Sequence, residues 1–146
     1  KNPDKVKFHY RDGLFSGSDL LSAGVASFGH LGGVHYQNNH DIAPYMMALD
    51  KGEVPVYRAY ETNADERLLR EFILRLKLGR VTASYYIDKF GVDPRQRFEA
   101  PLNYLVSEGF GSIDGDEITL NRAGLLEVDR LLHEFFLPEH RNARYA

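Results

Sequence analysis

The residue types able to do chemistry gather in one stretch, Asp19 to Asn39. There Gly24, Gly29, Gly32 and Gly33 alternate with His30, His35 and the amides Gln37, Asn38 and Asn39. Glycine gives up packing and backbone entropy, so such a cluster marks backbone that turns sharply or approaches another group closely. His30, His35 and His40 stand five apart, a spacing that puts no two on one helical face. On a loop, His30 and His35 reach a common ligand only by folding back. No zinc motif of the His-Glu-x-x-His type occurs, so the plain reading is loop histidines that are hydrogen-bonded or solvated. Ser16, Ser18, Ser22 and Ser27 raise the question of a nucleophile, but none lies in Gly-x-Ser-x-Gly. The glycines match neither Gly-x-Gly-x-x-Gly nor a Walker loop, so phosphate cradling is weakly signalled.

Composition narrows the classes further. The chain has 146 residues, 43% hydrophobic and 12% aromatic, enough for a packed core. A net charge of −3, with both signs interspersed, argues against duplex nucleic acid as the main partner. Mean hydropathy is −0.40, and no apolar run approaches the ~20 residues of a membrane helix. We therefore expect a soluble, cytoplasmic, monomeric protein. Cysteine is absent, which removes disulfides, thiolate nucleophiles and cysteine-held zinc or iron–sulfur clusters from this chain.

These residues must be positioned by the elements around them. Alternation over Val6 to Tyr10 predicts a strand that turns at Asp12-Gly13, and Leu20 to Phe28 reads as a second, mostly buried strand before a loop over Gly29 to Gly33. Asp41 suits the N-cap of a helix through Asp50, with Ile42, Tyr45, Met46 and Leu49 on one face. Val54 to Tyr60 is extended. From about residue 61 helical periodicity takes over. Asn63 caps a helix with the stripe Leu68, Leu69, Phe72, Ile73 and Leu76, and Thr82 caps a shorter one to Phe90. A third opens at Asp93-Pro94, turns Phe98, Leu102, Leu105 and Val106 inward, and is kinked by Pro101. Asp114-Gly115-Asp116 marks a hairpin, and Asn121 caps a last helix carrying Leu125, Leu126, Val128, Leu131, Leu132 and Phe135 and stopped by Pro138. The tail from Glu139 is expected to fray. Tyr57, Tyr60, Tyr85, Tyr86, Tyr104, Phe135 and Phe136 are expected in the core, while Tyr36 beside Gln37 could line a polar pocket.

Three helices, a hairpin and a closing helix make an α+β chain with a winged-helix-like second part. That pattern raises duplex binding, with Arg95 and Arg97 on the third helix. Asp114, Asp116 and Glu117 on the wing would repel phosphate, so a docking or structural role is preferred.

The run Ser18 to Gly29 (Ser-Asp-Leu-Leu-Ser-Ala-Gly-Val-Ala-Ser-Phe-Gly), with Tyr36-Gln-Asn after it, resembles the end of the catalytic domain of the oxygen-independent coproporphyrinogen III oxidase family. Val56 to Tyr60, Asp65 to Arg70, Glu108-Gly-Phe110 and Ile118 to Gly124 continue the likeness. The resemblance implies a radical S-adenosylmethionine enzyme that decarboxylates porphyrinogen propionates. Its barrel would end within residues 1–60, followed by a C-terminal domain over 61–146. S-adenosylmethionine and a 4Fe-4S cluster are implied, the cluster held by an upstream C-x3-C-x2-C motif absent here, so the piece alone should be inactive. The resemblance places Phe28 against S-adenosylmethionine, where the family usually has an aliphatic residue. Arg11, Tyr36 and Gln37 are weaker candidates for a porphyrinogen or haem-type substrate. A haem chaperone or haem-modifying relative, using His30 and His35, is the alternative within the same superfamily.

Overall fold

The computed structural model describes residues 9–137, which divide into two compact units, one ending at Arg67 and one beginning at Leu68. No helix among the described residues is long and apolar enough to cross a membrane.

In the first unit, α1 (His9–Phe15) leads into a loop, then β1 (Phe28–Leu31), β2 (Val34–Asn38), α2 (Ile42–Asp50) and β3 (Val56–Glu61). The strands form one antiparallel sheet in the order β1-β2-β3. Two expectations fail here. Tyr10 and Asp12-Gly13 lie inside a helix rather than in a strand and its turn, with the Ser16 amide bonded to the Asp12 carbonyl (residues 6–8 lie outside the described residues). Of Leu20 to Phe28, Leu20 makes one bridge, to His30, and the rest is loop up to Phe28. Gly24 at φ 107° and Ala26 at φ 61° cannot continue an extended strand. The glycine loop is also shorter than expected. Gly29 belongs to β1, and the turn is Gly32-Gly33, both at positive φ (58° and 83°), as a two-residue hairpin turn of primed type requires.

Helix α2 has the expected span, but Asp41 gives no side-chain cap, and Ile42, Met46 and Leu49 are exposed. β3 is exposed along its whole length, Tyr57 and Tyr60 included, so neither tyrosine is core.

Helix α3 (Ala64–Leu76) starts at a reciprocal capping box. Asn63 Oδ1 accepts from the Glu66 amide at 2.9 Å, and Glu66 Oε2 accepts from the Asn63 amide at 2.8 Å. The second unit continues with β4 (Arg80–Thr82), α4 (Ala83–Phe90), α5 (Pro94–Arg97), α6 (Glu99–Ser107), β5 (Gly111–Asp114), β6 (Glu117–Leu120), α7 (Arg122–Leu126) and α8 (Val128–Leu131), closing on a 3-10 turn, Leu132–Phe135. Its sheet runs β4-β6-β5, antiparallel throughout.

The core of this unit forms around Phe72, which is fully buried with its ring 4.5 Å from Phe98, 5.4 Å from Phe135 and 5.7 Å from Tyr86 between centroids. Leu68, Leu76, Leu102, Leu105, Ile118 and Leu131 complete it. Val106, Leu125 and Leu126 are exposed instead of inward. The third helix breaks at Phe98 (φ −116°, ψ 31°), not at Pro101. Pro101 falls in the first turn of α6, where no helical acceptor awaits its missing N–H. The last helix breaks at Glu127 (φ −109°, ψ 12°), and that shift of phase turns Leu125 and Leu126 outward. Asn121 caps α7 as expected, its Oδ1 accepting from the Gly124 amide at 3.0 Å. Thr82 does not cap α4; Asp116, on the β5–β6 turn, does so by accepting from the Ser84 amide at 2.8 Å and the Ser84 hydroxyl at 2.6 Å. Pro138 and the tail from Glu139 lie outside the described residues.

Candidate functional site

Antiparallel pairing decides which side chains share a face of the β1-β2-β3 sheet. Phe28 pairs with Gln37 and Gln37 with Arg58, while His30 pairs with His35 and His35 with Tyr60. These six residues therefore form two cross-strand rows on one face. Phe28 is 56% exposed, and Arg58 Nε donates to Gln37 Oε1 at 2.8 Å. That bond orients the guanidinium on the sheet beside an exposed aromatic ring, an arrangement suited to a carboxylate-bearing, partly apolar ligand. The Tyr60 hydroxyl donates to Glu66 Oε1 at 2.5 Å, so the outer edge of the face is polar.

The opposite face does different work. Tyr36 pairs with Gly29, and its ring fills the space a Cβ at Gly29 would need. Its phenol oxygen accepts from the Ser22 amide at 2.8 Å. Asn38, buried, donates through Nδ2 to the Gly24 carbonyl at 3.0 Å, and the Tyr45 hydroxyl accepts from the Gly24 amide at 2.9 Å. The loop over Ser22 to Gly24 is thus clasped by Tyr36, Asn38 and Tyr45, which holds its backbone close to the sheet.

The resemblance put forward Phe28 as a cofactor contact, with Arg11, Tyr36 and Gln37 as weaker substrate candidates. The structure puts Phe28 and Gln37 together and Tyr36 on the reverse face. Arg11 lies on α1, 3.5 Å from the carboxylate of Asp12 and exposed. Its helix borders a groove of about 390 Å3 lined in part by Tyr10, Leu14 and Asp19. Arg58 escaped sequence reasoning because its pairing with Gln37 spans 21 positions; the extended segment around Pro55 was the available signal.

His30 and His35 do not sit on a loop. They are opposed across the β1–β2 hairpin with Nδ1 to Nδ1 at 3.0 Å and ring centroids 5.2 Å apart. Among the described residues no group of three or more histidines, cysteines, aspartates or glutamates could hold a metal ion. With no cysteine in the chain, an iron–sulfur cluster finds no thiolate here.

The second unit carries a buried polar cluster. Glu71, 3% exposed, accepts from the Tyr85 hydroxyl and from Lys89 Nζ at 2.8 Å. Burial and the bond to Glu71 push the Tyr85 phenol above its ordinary range. Burial pulls the Lys89 ammonium down, but its bonds to Glu71 and Tyr85 outweigh that and hold it above its ordinary value. Burial, followed by the nearby Glu71 charge, raises the Tyr86 phenol, whose hydroxyl has no hydrogen-bond partner among the described residues.

Residues 63–126 match the family described as the HemN C-terminal domain. The chain is 28% identical over 134 residues to the oxygen-independent coproporphyrinogen III oxidase of Pseudomonas aeruginosa, covering 88% of this chain and 29% of that protein. It is 28% identical over 122 residues to the enzyme of the same name from Helicobacter pylori strain 26695, covering 81% and 27%. A solved structure, coproporphyrinogen III oxidase (HemN) from Escherichia coli, a radical SAM enzyme, superposes with a TM-score of 0.70 at 21% identity. It covers 81% of this chain and 28% of that one. The fold is thus the mixed helix-and-strand architecture of that enzyme's matching region. The chain spans under a third of the length of these relatives, and the resemblance drawn from its residues holds across both units.

Proposed function

We propose that this chain is the C-terminal part of a radical S-adenosylmethionine enzyme of the oxygen-independent coproporphyrinogen III oxidase type, with residues 1–60 ending its catalytic barrel and 61–146 forming a winged-helix-like domain. The observation that carries the reading is the alignment to a coproporphyrinogen III oxidase, which covers 88% of the chain and so runs through both units. Two further features support it. The apolar side chains of α2 and the whole of β3 are exposed, as expected of elements that complete a larger barrel. The order α3, β4, α4, α5–α6, β5–β6 supports the winged-helix-like description. Asp116 is committed to capping α4, which favours an internal role for the hairpin over phosphate binding.

In this reading Phe28 packs its exposed ring against S-adenosylmethionine. The residues fit that cofactor to this extent, and they do not fit the 4Fe-4S cluster, whose thiolates belong to a C-x3-C-x2-C motif upstream. When bound in the whole enzyme, S-adenosylmethionine supplies a 5′-deoxyadenosyl radical. Gln37 holds Arg58 so that its guanidinium can pair with a propionate of the porphyrinogen in a charge-assisted bond. Arg11 and Tyr36 remain more distant candidates for the same substrate. The clasp of Tyr36, Asn38 and Tyr45 keeps the 22–24 backbone in place beneath.

The gene is the first test: its reading frame upstream of Lys1 should encode three cysteines at that spacing. The whole protein, assayed without oxygen with S-adenosylmethionine, a one-electron reductant for the cluster, an electron acceptor and coproporphyrinogen III, should release CO2. Phe28→Leu should keep the KM for S-adenosylmethionine near wild type, and Phe28→Asp should raise it. A frame that starts near Lys1 without those cysteines overturns the proposal.

A further inference from the structure

We infer that β3 is an interior strand of a wider sheet, its outer edge at Ala59 and Glu61 taking a strand from the same polypeptide upstream of Lys1. The inference rests on the proposed function and adds the place where the rest of the enzyme joins this part.

The ladder fixes which way each backbone group points. The His30 amide donates to the Leu20 carbonyl at 2.9 Å, and the His30 carbonyl accepts from the Leu20 amide at 2.6 Å. Both groups of His30 therefore point away from β2, which makes His30 and His35 a non-hydrogen-bonded pair. Alternation then turns the backbone of His35 and Gln37 toward β3, where they pair with Tyr60 and Arg58. Ala59 and Glu61 fall in the opposite phase and direct their N–H and C=O groups outward. Thr62 agrees with that phase, since its amide donates inward to the Gly33 carbonyl at 2.9 Å. β3 is the last strand of its sheet, and among the described residues no bond meets the backbone groups of Ala59 and Glu61.

An edge in this state is a template for another strand. The devices that blunt edges lie at the other end of β3. Pro55 precedes the strand, and the register shift opposite Gln37 and Asn38 falls between Val56 and Arg58. Ala59 to Glu61 keep only the Glu61 charge as protection. Every residue of β3 is exposed, so nothing among the described residues covers this edge from either face.

The shortness of the edge names its occupant. Two residues of ladder bury far less than the ~1,200 Å2 at which stable complexes between separate molecules begin. A strand tethered in the same polypeptide meets the edge at high effective concentration and needs no such area. The relatives have room for it: this chain covers 29% of the Pseudomonas aeruginosa protein, and the family matched by residues 63–126 is by description C-terminal.

Hydrogen–deuterium exchange of the whole protein reads the edge residue by residue. The amides of Ala59 and Glu61 should exchange as slowly as those of Arg58 and Tyr60, at any protein concentration. With Glu61 replaced by photoreactive p-benzoylphenylalanine, illumination of the whole protein should join β3 to a peptide upstream of Lys1. Fast exchange at Ala59 and Glu61 beside slow exchange at Arg58 and Tyr60 overturns the inference. So does protection that fades on dilution, or joins confined to residues 1–146 of the same or a second copy. The proposed function is read separately, from CO2 release, so an open edge in an active enzyme sinks this inference alone.

Discussion

Replacing Lys89 by methionine isolates a charge, that of Glu71, that the core of the second unit has taken out of water. Glu71 is 3% exposed and is held by Lys89 Nζ at 2.8 Å and 3.1 Å and by the Tyr85 hydroxyl. Removing one member of a fully buried ion pair costs about 3–5 kcal/mol, because the other charge is left without compensation. The Lys89 side chain is 40% exposed, so water already weakens this pair and the penalty falls to about 2 kcal/mol. Urea denaturation followed by circular dichroism should show the midpoint lowered by about 1 M at an m-value of about 2 kcal/mol/M. The pH dependence carries a sign. In the wild type, Lys89 and Tyr85 both titrate above their ordinary values. Their contribution is fully present below about pH 10 and is lost as pH climbs through the raised values. An unchanged urea midpoint in Lys89→Met would refute the reasoning.

Phe72→Ala removes a fully buried ring that meets three aromatic neighbours. It should cost about 3–5 kcal/mol in the same urea assay, and a loss under about 1 kcal/mol would place the core elsewhere. Gly124→Ala drives a Cβ into the Phe110 carbonyl oxygen, a backbone atom that cannot swing aside. A loss of about 1–3 kcal/mol is expected despite alanine's better helix propensity, and a gain in melting temperature would count against the contact.

The second unit was the more legible of the two, because its signals are local. Asn63 and Asn121 cap the helices they precede, and Gly91 and Gly109 end theirs at positive φ (69° and 72°). The stripe from Leu68 to Leu76 needs only helical spacing to be read. The errors there come from side chains reaching across the fold: Asp116 displaces Thr82 as the cap of α4, and a backbone break at Phe98 leaves Pro101 harmless. The first unit resisted because its organisation is non-local. An apolar run such as Leu20 to Phe28 has no period that separates a buried strand from a clasped loop. The histidine spacing was uninformative for a helix, yet five positions about a two-residue turn bring His30 and His35 face to face. Arg58 became visible only once β3 was laid beside β2.

The turn between β5 and β6 is fastened at both of its central residues. Asp116 holds the first turn of α4, and the Gly115 carbonyl accepts from Arg95 Nη1 at 2.7 Å. Lifting the tip of this ribbon would strip an amide at the start of one helix of its acceptor and release an arginine of another. The ribbon therefore cannot flap as an independent finger, and its opening has the cost of a cooperative unit. Amide exchange should accordingly report one shared rate for Ser84 and the residues of the tip.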